Sequence, residues 1–198
     1  MIIPHYSFSS EIDLIKAVNN RNISEIKAQI QNGADVNANT DTYFSPLRIA
    51  CIKKDLKTAT FLIKSGANVN MYGLDGMTAL MQVASSGDSN LVSLLANNKA
   101  ELNLRNEESQ SALFLSVINE NLKATKALII AGAELNLQDK EGKTPLMIAG
   151  ITGQYEISKA LLKGGADPAL KNKKGKTALF IACKYEQLKI IKALIQNT

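Results

Sequence analysis

The dipeptide Gly-Ala returns in this chain at a spacing of 33 residues. Gly33-Ala34, Gly66-Ala67, Gly132-Ala133 and Gly165-Ala166 stand in register, and Lys99-Ala100 fills the one vacant slot. A second column keeps the same interval: Ser45-Pro46-Leu47, Thr78-Ala79-Leu80, Ser111-Ala112-Leu113, Thr144-Pro145-Leu146 and Thr177-Ala178-Leu179. A repeat of this length restricts the architecture more than any other property. Each copy is one supersecondary unit, and copies must stack to bury a continuous core.

The best-formed copy runs from Lys140 to Asn172. Thr144 is a good N-cap, and Pro145 beside it suits the first helical position. Leu146, Ile148 and Ala149 begin a short helix that Gly153 ends. Tyr155 to Lys163 is a second helix, with Ile157, Ala160, Leu161 and Leu162 on its inner side. Gly164-Gly165 stops it, and a polar stretch leads to the next copy. Helices this short cannot bury their apolar faces alone, so the stacked array is the unit of stability.

Gly142, Thr144-Pro145-Leu146, Ala149, Gly153, Ala160-Leu161-Leu162 and Gly165-Ala166-Asp167 together resemble the ankyrin repeat, over about residues 11 to 198. The resemblance implies an all-α solenoid of stacked helix-turn-helix units joined by β-hairpin-like loops. One departure runs through every copy. The family's usual His after Pro-Leu is replaced by Arg48, Met81, Phe114, Met147 and Phe180. That removes the side chain that normally links neighbouring repeats by hydrogen bonds.

The period divides the chain into a leader at 1–10, a polar N-terminal capping repeat at 11–40, complete repeats at 41–73, 74–106, 107–139 and 140–172, and a final pair of helices at 173–198. No linker interrupts it, so one domain is expected. The apolar fraction of 45% is that of a globular protein. No run approaches the length of a membrane span, and the N-terminal stretch lacks the basic and apolar regions of a signal peptide. A cytoplasmic protein is the expectation. Cys51 and Cys183 share one repeat position, four repeats apart. At about 10 Å per stacked repeat they lie beyond the ~7 Å reach of a disulfide, and both are expected as small buried side chains.

The residues for catalysis are not assembled here. His5 is the single histidine, which leaves no metal-ligand set and no Ser/His/Asp or Cys/His arrangement. Gly142-Lys143-Thr144 and Gly175-Lys176-Thr177 look like the end of a phosphate loop, but Leu137 and Leu170 stand where its first Gly is needed. No enzyme activity and no cofactor are expected.

The net charge is +5 and unevenly spread. Lys171, Lys173, Lys174 and Lys176 crowd into KNKKGK, a solvated tip or a site for an acidic partner. Nucleic acid is not the expected partner, because no Arg stands in this stretch and only Tyr185 offers a stacking ring.

The resemblance implies a protein partner bound through hairpin tips and the ends of the first helices, which line the concave side. The tip candidates are Tyr43, Phe44, Met71, Tyr72, Leu74 and Met77, then Lys173 and Lys174; the first-helix candidates are Ile52, Ser85, Ile118, Asn119, Ile151, Thr152, Lys184 and Tyr185. Large apolar residues in such tips read two ways. They form an interaction patch, or Phe44 and Leu74 fold back onto a degenerate repeat in which Tyr43 has replaced the hairpin Gly. The expected function is a non-catalytic binding module; the alternative is an inhibitor that covers the active site of a partner enzyme. A monomer is expected, with end-to-end stacking through the last helix pair as the route to self-association.

Overall fold

Residues 7–38 and 44–196 are described by the structure, a computed structural model. They form helices in pairs: α1 (Ser7–Asn19) and α2 (Ile23–Gln31), α3 (Pro46–Ile52) and α4 (Leu56–Lys64), α5 (Ala79–Ser86) and α6 (Ser89–Asn97), α7 (Ala112–Ile118) and α8 (Leu122–Ala131), α9 (Pro145–Thr152) and α10 (Tyr155–Lys163), α11 (Ala178–Lys184) and α12 (Leu188–Ile195). Each first helix packs on the first helix of the next pair, and from α4 onward each second helix does the same. Among the described residues the only β pairing is an isolated antiparallel bridge between Arg105 and Ser111.

The Ser/Thr column sets where the first helices start. Ser45, Thr78, Ser111, Thr144 and Thr177 each accept a hydrogen bond from the backbone N–H three residues on, at 3.3 Å in every case. Such a cap is worth about 1 kcal/mol. Ile12 occupies this column in the first repeat and offers no such oxygen, and α1 continues upstream to Ser7.

The turn between the paired helices needs a left-handed residue. Arg21, Lys54, Gly87, Glu120, Gly153 and Glu186, spaced by the repeat, all have positive φ. Only two of these six are glycine, so most repeats hold a Cβ in a conformation L-residues disfavour. Lys99, in the vacant Gly-Ala slot, sits at φ 66 for the same reason.

Two leucine columns fill the centre. Leu47, Leu80, Leu113 and Leu146 lie between neighbouring first helices, and Leu62, Leu95, Leu128, Leu161 and Leu194 lie under the second helices; all are buried. A further column, unread in the sequence, ties the repeats at their Gly-Ala ends. The side-chain oxygens of Asn37, Asn70, Asn103 and Asn136 accept the backbone N–H of Asn68, Glu101, Glu134 and Asp167 at 2.7–2.9 Å.

The two cysteines part company. Cys51 is buried as expected, and burial, with Asp88 nearby, pushes its thiol pKa up to about 12. Cys183 is exposed, against the expectation of a buried side chain. At the equivalent positions Ala84, Val117 and Gly150 are covered; for Gly150 the nearest groups are Ala178 and Ile181 of the following helix. α9 and α12 pack against α11, but no further first helix covers its outer side among the described residues, so Phe180 and Cys183 face solvent. Phe114, in the same slot as Phe180, is buried between repeats.

Candidate functional site

The hairpin tips form a row because each is closed by the same bonds and tied to the next. Backbone N–H groups of Gly73, Asn106, Asp139 and Asn172 reach the carbonyls of Met77, Gln110, Lys143 and Lys176 at 2.9–3.0 Å. Between tips, the Lys140 and Lys173 amides donate to the Glu108 and Glu141 carbonyls. Gly142 permits the last of these approaches: a Cβ there would lie 2.8 Å from the Lys173 nitrogen.

Side chains reinforce this row at one repeat position. The Tyr72 hydroxyl donates to the Arg105 carbonyl at 3.3 Å, the Arg105 guanidinium to the Gln138 carbonyl, and the Gln138 amide to the Lys171 carbonyl at 3.0 Å. Tyr72, Arg105, Gln138 and Lys171 therefore stand side by side along one edge.

Across the first of these tips lies an interaction the sequence did not announce. Arg48, in the slot of the missing His, is only 2% exposed and donates through both terminal nitrogens to the carboxylate of Asp75 in the next repeat. The Arg48 bonds hold the Asp75 carboxyl below its ordinary value, against the opposing effect of partial burial. The guanidinium also covers the Phe44 ring, 4.5 Å from its centroid. An inter-repeat link thus exists at this slot, made by a cation in place of the imidazole. Met81, Phe114 and Met147 fill the same slot with buried apolar packing.

The tip candidates divide accordingly. Phe44 and Met77 are half-buried against the core, Met71 is half-buried, and Tyr43 lies outside the described residues, as does His5. Tyr72 and Leu74 remain in solvent, Leu74 at 65% exposure. Inward packing thus holds for Phe44, and Leu74 does not fold back. Lys171, Lys173 and Lys174 are exposed, whereas Lys176 is half-buried with its ammonium 3.8 Å from the Phe180 ring centroid.

At the ends of the first helices Ile52 and Ile118 are exposed, at 40% and 43%. Ser85 and Ile151 are half-buried and Thr152 is exposed. Asn119 bridges two candidates, its amide donating to the Ser85 hydroxyl of the preceding repeat at 3.1 Å. Lys184 lies 5.7 Å from the Tyr185 ring centroid, and both are exposed.

The phosphate-loop look-alike has structural duties. Thr144 is a buried cap, and Lys143 pairs with Glu141. That bond raises the Lys143 pKa and lowers that of Glu141. Among the described residues no cluster of His, Cys, Asp and Glu could hold a metal ion.

The family model for ankyrin repeats in three copies matches residues 14–106 and 113–198. A crystal structure of EF0377, an ankyrin repeat protein, superposes with a TM-score of 0.88 at 24% identity, covering 94% of this chain and 98% of that one. The ankyrin repeat domain of Bcl-3, described as a unique member of the IkappaB protein family, superposes with a TM-score of 0.87 at 23% identity, covering 93% of this chain and 85% of that one. None of the curated proteins compared with the chain matches it.

Proposed function

The chain belongs to the ankyrin repeat family, and from that premise we propose that it is a non-catalytic module binding a protein partner through its tip row and the concave ends of its first helices. One observation carries the reading. Tyr72, Leu74, Ile52 and Ile118 are large apolar side chains left in solvent at the tips and first-helix ends. Exposed apolar groups gathered on one surface mark interaction sites, and aromatic anchors dominate their energetics. Ser85 holds the equivalent position in the repeat between Ile52 and Ile118 and is bonded to Asn119, and Ile151 and Thr152 continue the series in the repeat that follows. Scaffold and active-site-covering inhibitor would use this same surface; loss of activity in a co-purified enzyme is the observation that would favour the second.

No helix of the described chain is long and apolar enough to cross a membrane. A cytoplasmic location is part of the proposal, supported by the free, exposed thiol of Cys183, which suits a reducing compartment.

The test captures partners from native lysate on the immobilised full chain, on Leu74→Glu and on Ile118→Glu. Both side chains are exposed, so far-UV circular dichroism should be unchanged in the variants. The reading expects a protein retained by the wild type and lost from both variants. Retention by both would place binding elsewhere.

A further inference from the structure

The tip row carries its charge in an order that specifies the partner's chemistry. At the first described tip the exposed side chains are Tyr72 and Leu74, and the carboxylate of Asp75 is already held by Arg48. At the second, Glu107 and Glu108 are exposed together with Arg105, whose guanidinium is bonded to backbone carbonyls, and Glu108 lies 3.4 Å from the Lys140 ammonium. At the third, Glu141 and Lys143 neutralise each other. At the fourth, Lys171, Lys173, Lys174 and Lys176 occur with no carboxylate between them; the first three make no ion pair among the described residues, although Lys173 and Lys174 lie near enough to Glu141 to help lower its pKa. The bonds from Tyr72 to Arg105 to Gln138 to Lys171 place these tips in one line.

We propose that the partner contributes an extended segment, apolar where it crosses Tyr72 and Leu74 and acidic where it crosses Lys171, Lys173 and Lys174. The proposal rests on the protein-binding reading above and adds the chemistry and direction of the bound segment. Three repeat steps of roughly 10 Å give about 30 Å, which an extended chain covers with about nine residues. At the second tip Arg105 and Lys140 offset Glu107 and Glu108, whereas the fourth tip carries lysines alone, so carboxylates are favoured at one end of the row only. Such an arrangement selects orientation as well as partner. A nucleic acid fits less well. Its phosphates would gain no net attraction at the second and third tips, where carboxylates offset the cations, and its backbone gives Leu74 nothing apolar to contact.

A phage-displayed random 12-residue library, panned on the full chain and on Lys171→Ser/Lys173→Ser/Lys174→Ser, tests this. Peptides enriched on the wild type should carry apolar residues toward one end and at least two acids toward the other. On the triple variant the acid enrichment should vanish while the apolar residues persist. The most enriched peptide, labelled and read by fluorescence polarisation, should bind the triple variant roughly tenfold more weakly at low salt, with a flatter salt dependence. Enriched peptides that lack acids but lose binding with Leu74→Glu would overturn the proposed chemistry and leave the protein-binding surface standing. Peptides indifferent to both sets of substitutions, or no enrichment at all, would remove both. Tighter binding of a 20-nucleotide single-stranded DNA than of any peptide, lost in the triple variant, would assign the lysines to nucleic acid and refute the proposal.

Discussion

Asp75→Asn should destabilise the protein, whereas Arg48→Met should not. The asymmetry follows from where the two ends of the pair lie. Arg48 is 2% exposed and Asp75 is 42% exposed. Removing the anion leaves a cation that cannot reach water, and the Arg48 Nε already lacks a hydrogen-bond partner. Orphaning one member of a fully buried pair costs about 3–5 kcal/mol. Because the Asp75 side is wet, screening reduces this to about 2 kcal/mol. Arg48→Met instead removes the charge together with its unmet donor. It places in the slot the residue found there as Met81 and Met147, and a thioether against the Phe44 ring replaces the cation–π contact. The expected change is within about 1 kcal/mol of zero. In the Arg48→Met background Asp75→Asn should cost almost nothing, so a double-mutant cycle returns a coupling of about 2 kcal/mol. Urea denaturation followed by circular dichroism reads all three variants. The pH profile supplies a second check. The folded carboxyl titrates below its ordinary value of 3.8, so the pair's contribution is complete above that value and is lost as pH falls through the lower, folded one. Asp75→Asn should therefore flatten the acid limb of the stability curve. An unchanged midpoint for Asp75→Asn, or equal losses for Asp75→Asn and Arg48→Met, would refute the reasoning.

Three further outcomes are expected. Leu146→Ala, at a site buried between repeats, should lower stability by about 2–5 kcal/mol in chemical denaturation, and a loss below about 0.5 kcal/mol would mean the column does not form the core. Lys99→Gly and Glu120→Gly each relieve a Cβ at positive φ and should raise stability by roughly 0.5–1 kcal/mol; a loss at either site would show that its side chain makes contacts outweighing the strain. A thiol reagent at pH 8 should label Cys183 alone in the native protein and both cysteines in denaturant, since Cys51 is buried with a thiol pKa pushed up to about 12; rapid native labelling of Cys51 would mean that the second repeat opens readily.

The fold was legible because its determinants repeat. The Ser/Thr caps, the Gly-Ala ends and the leucine columns each announce themselves several times, and each did the local work its chemistry suggests. The Asn column at 37, 70, 103 and 136 was equally periodic and could have been read the same way. The pairing of Arg48 with Asp75 could not. It joins two residues that occur once each, 27 positions apart, and no spacing rule connects them. Cys183 escaped for the opposite reason. The period implies that equivalent positions are equivalent, yet burial at this slot depends on a following repeat, and none covers α11 among the described residues. The exposed apolar candidates were sorted by depth alone: Phe44 and Leu74 look alike in sequence, and only the guanidinium lying over one of them separates a packed ring from a solvent-facing side chain.

The bonds along the tip row run from side chain to main chain. Tyr72, Arg105 and Gln138 share no functional group, yet each finds the same acceptor, because a peptide carbonyl is present whatever residue carries it. A join of this kind is indifferent to which two units meet. Excision of residues 107–139 would place the Arg105 guanidinium opposite the Lys171 carbonyl, a substitute for the one it lost. Recombination within the coding sequence can therefore add or drop a whole unit without inventing a new seam. The number of repeats then sets the length of the tip row without changing the chemistry of its seams.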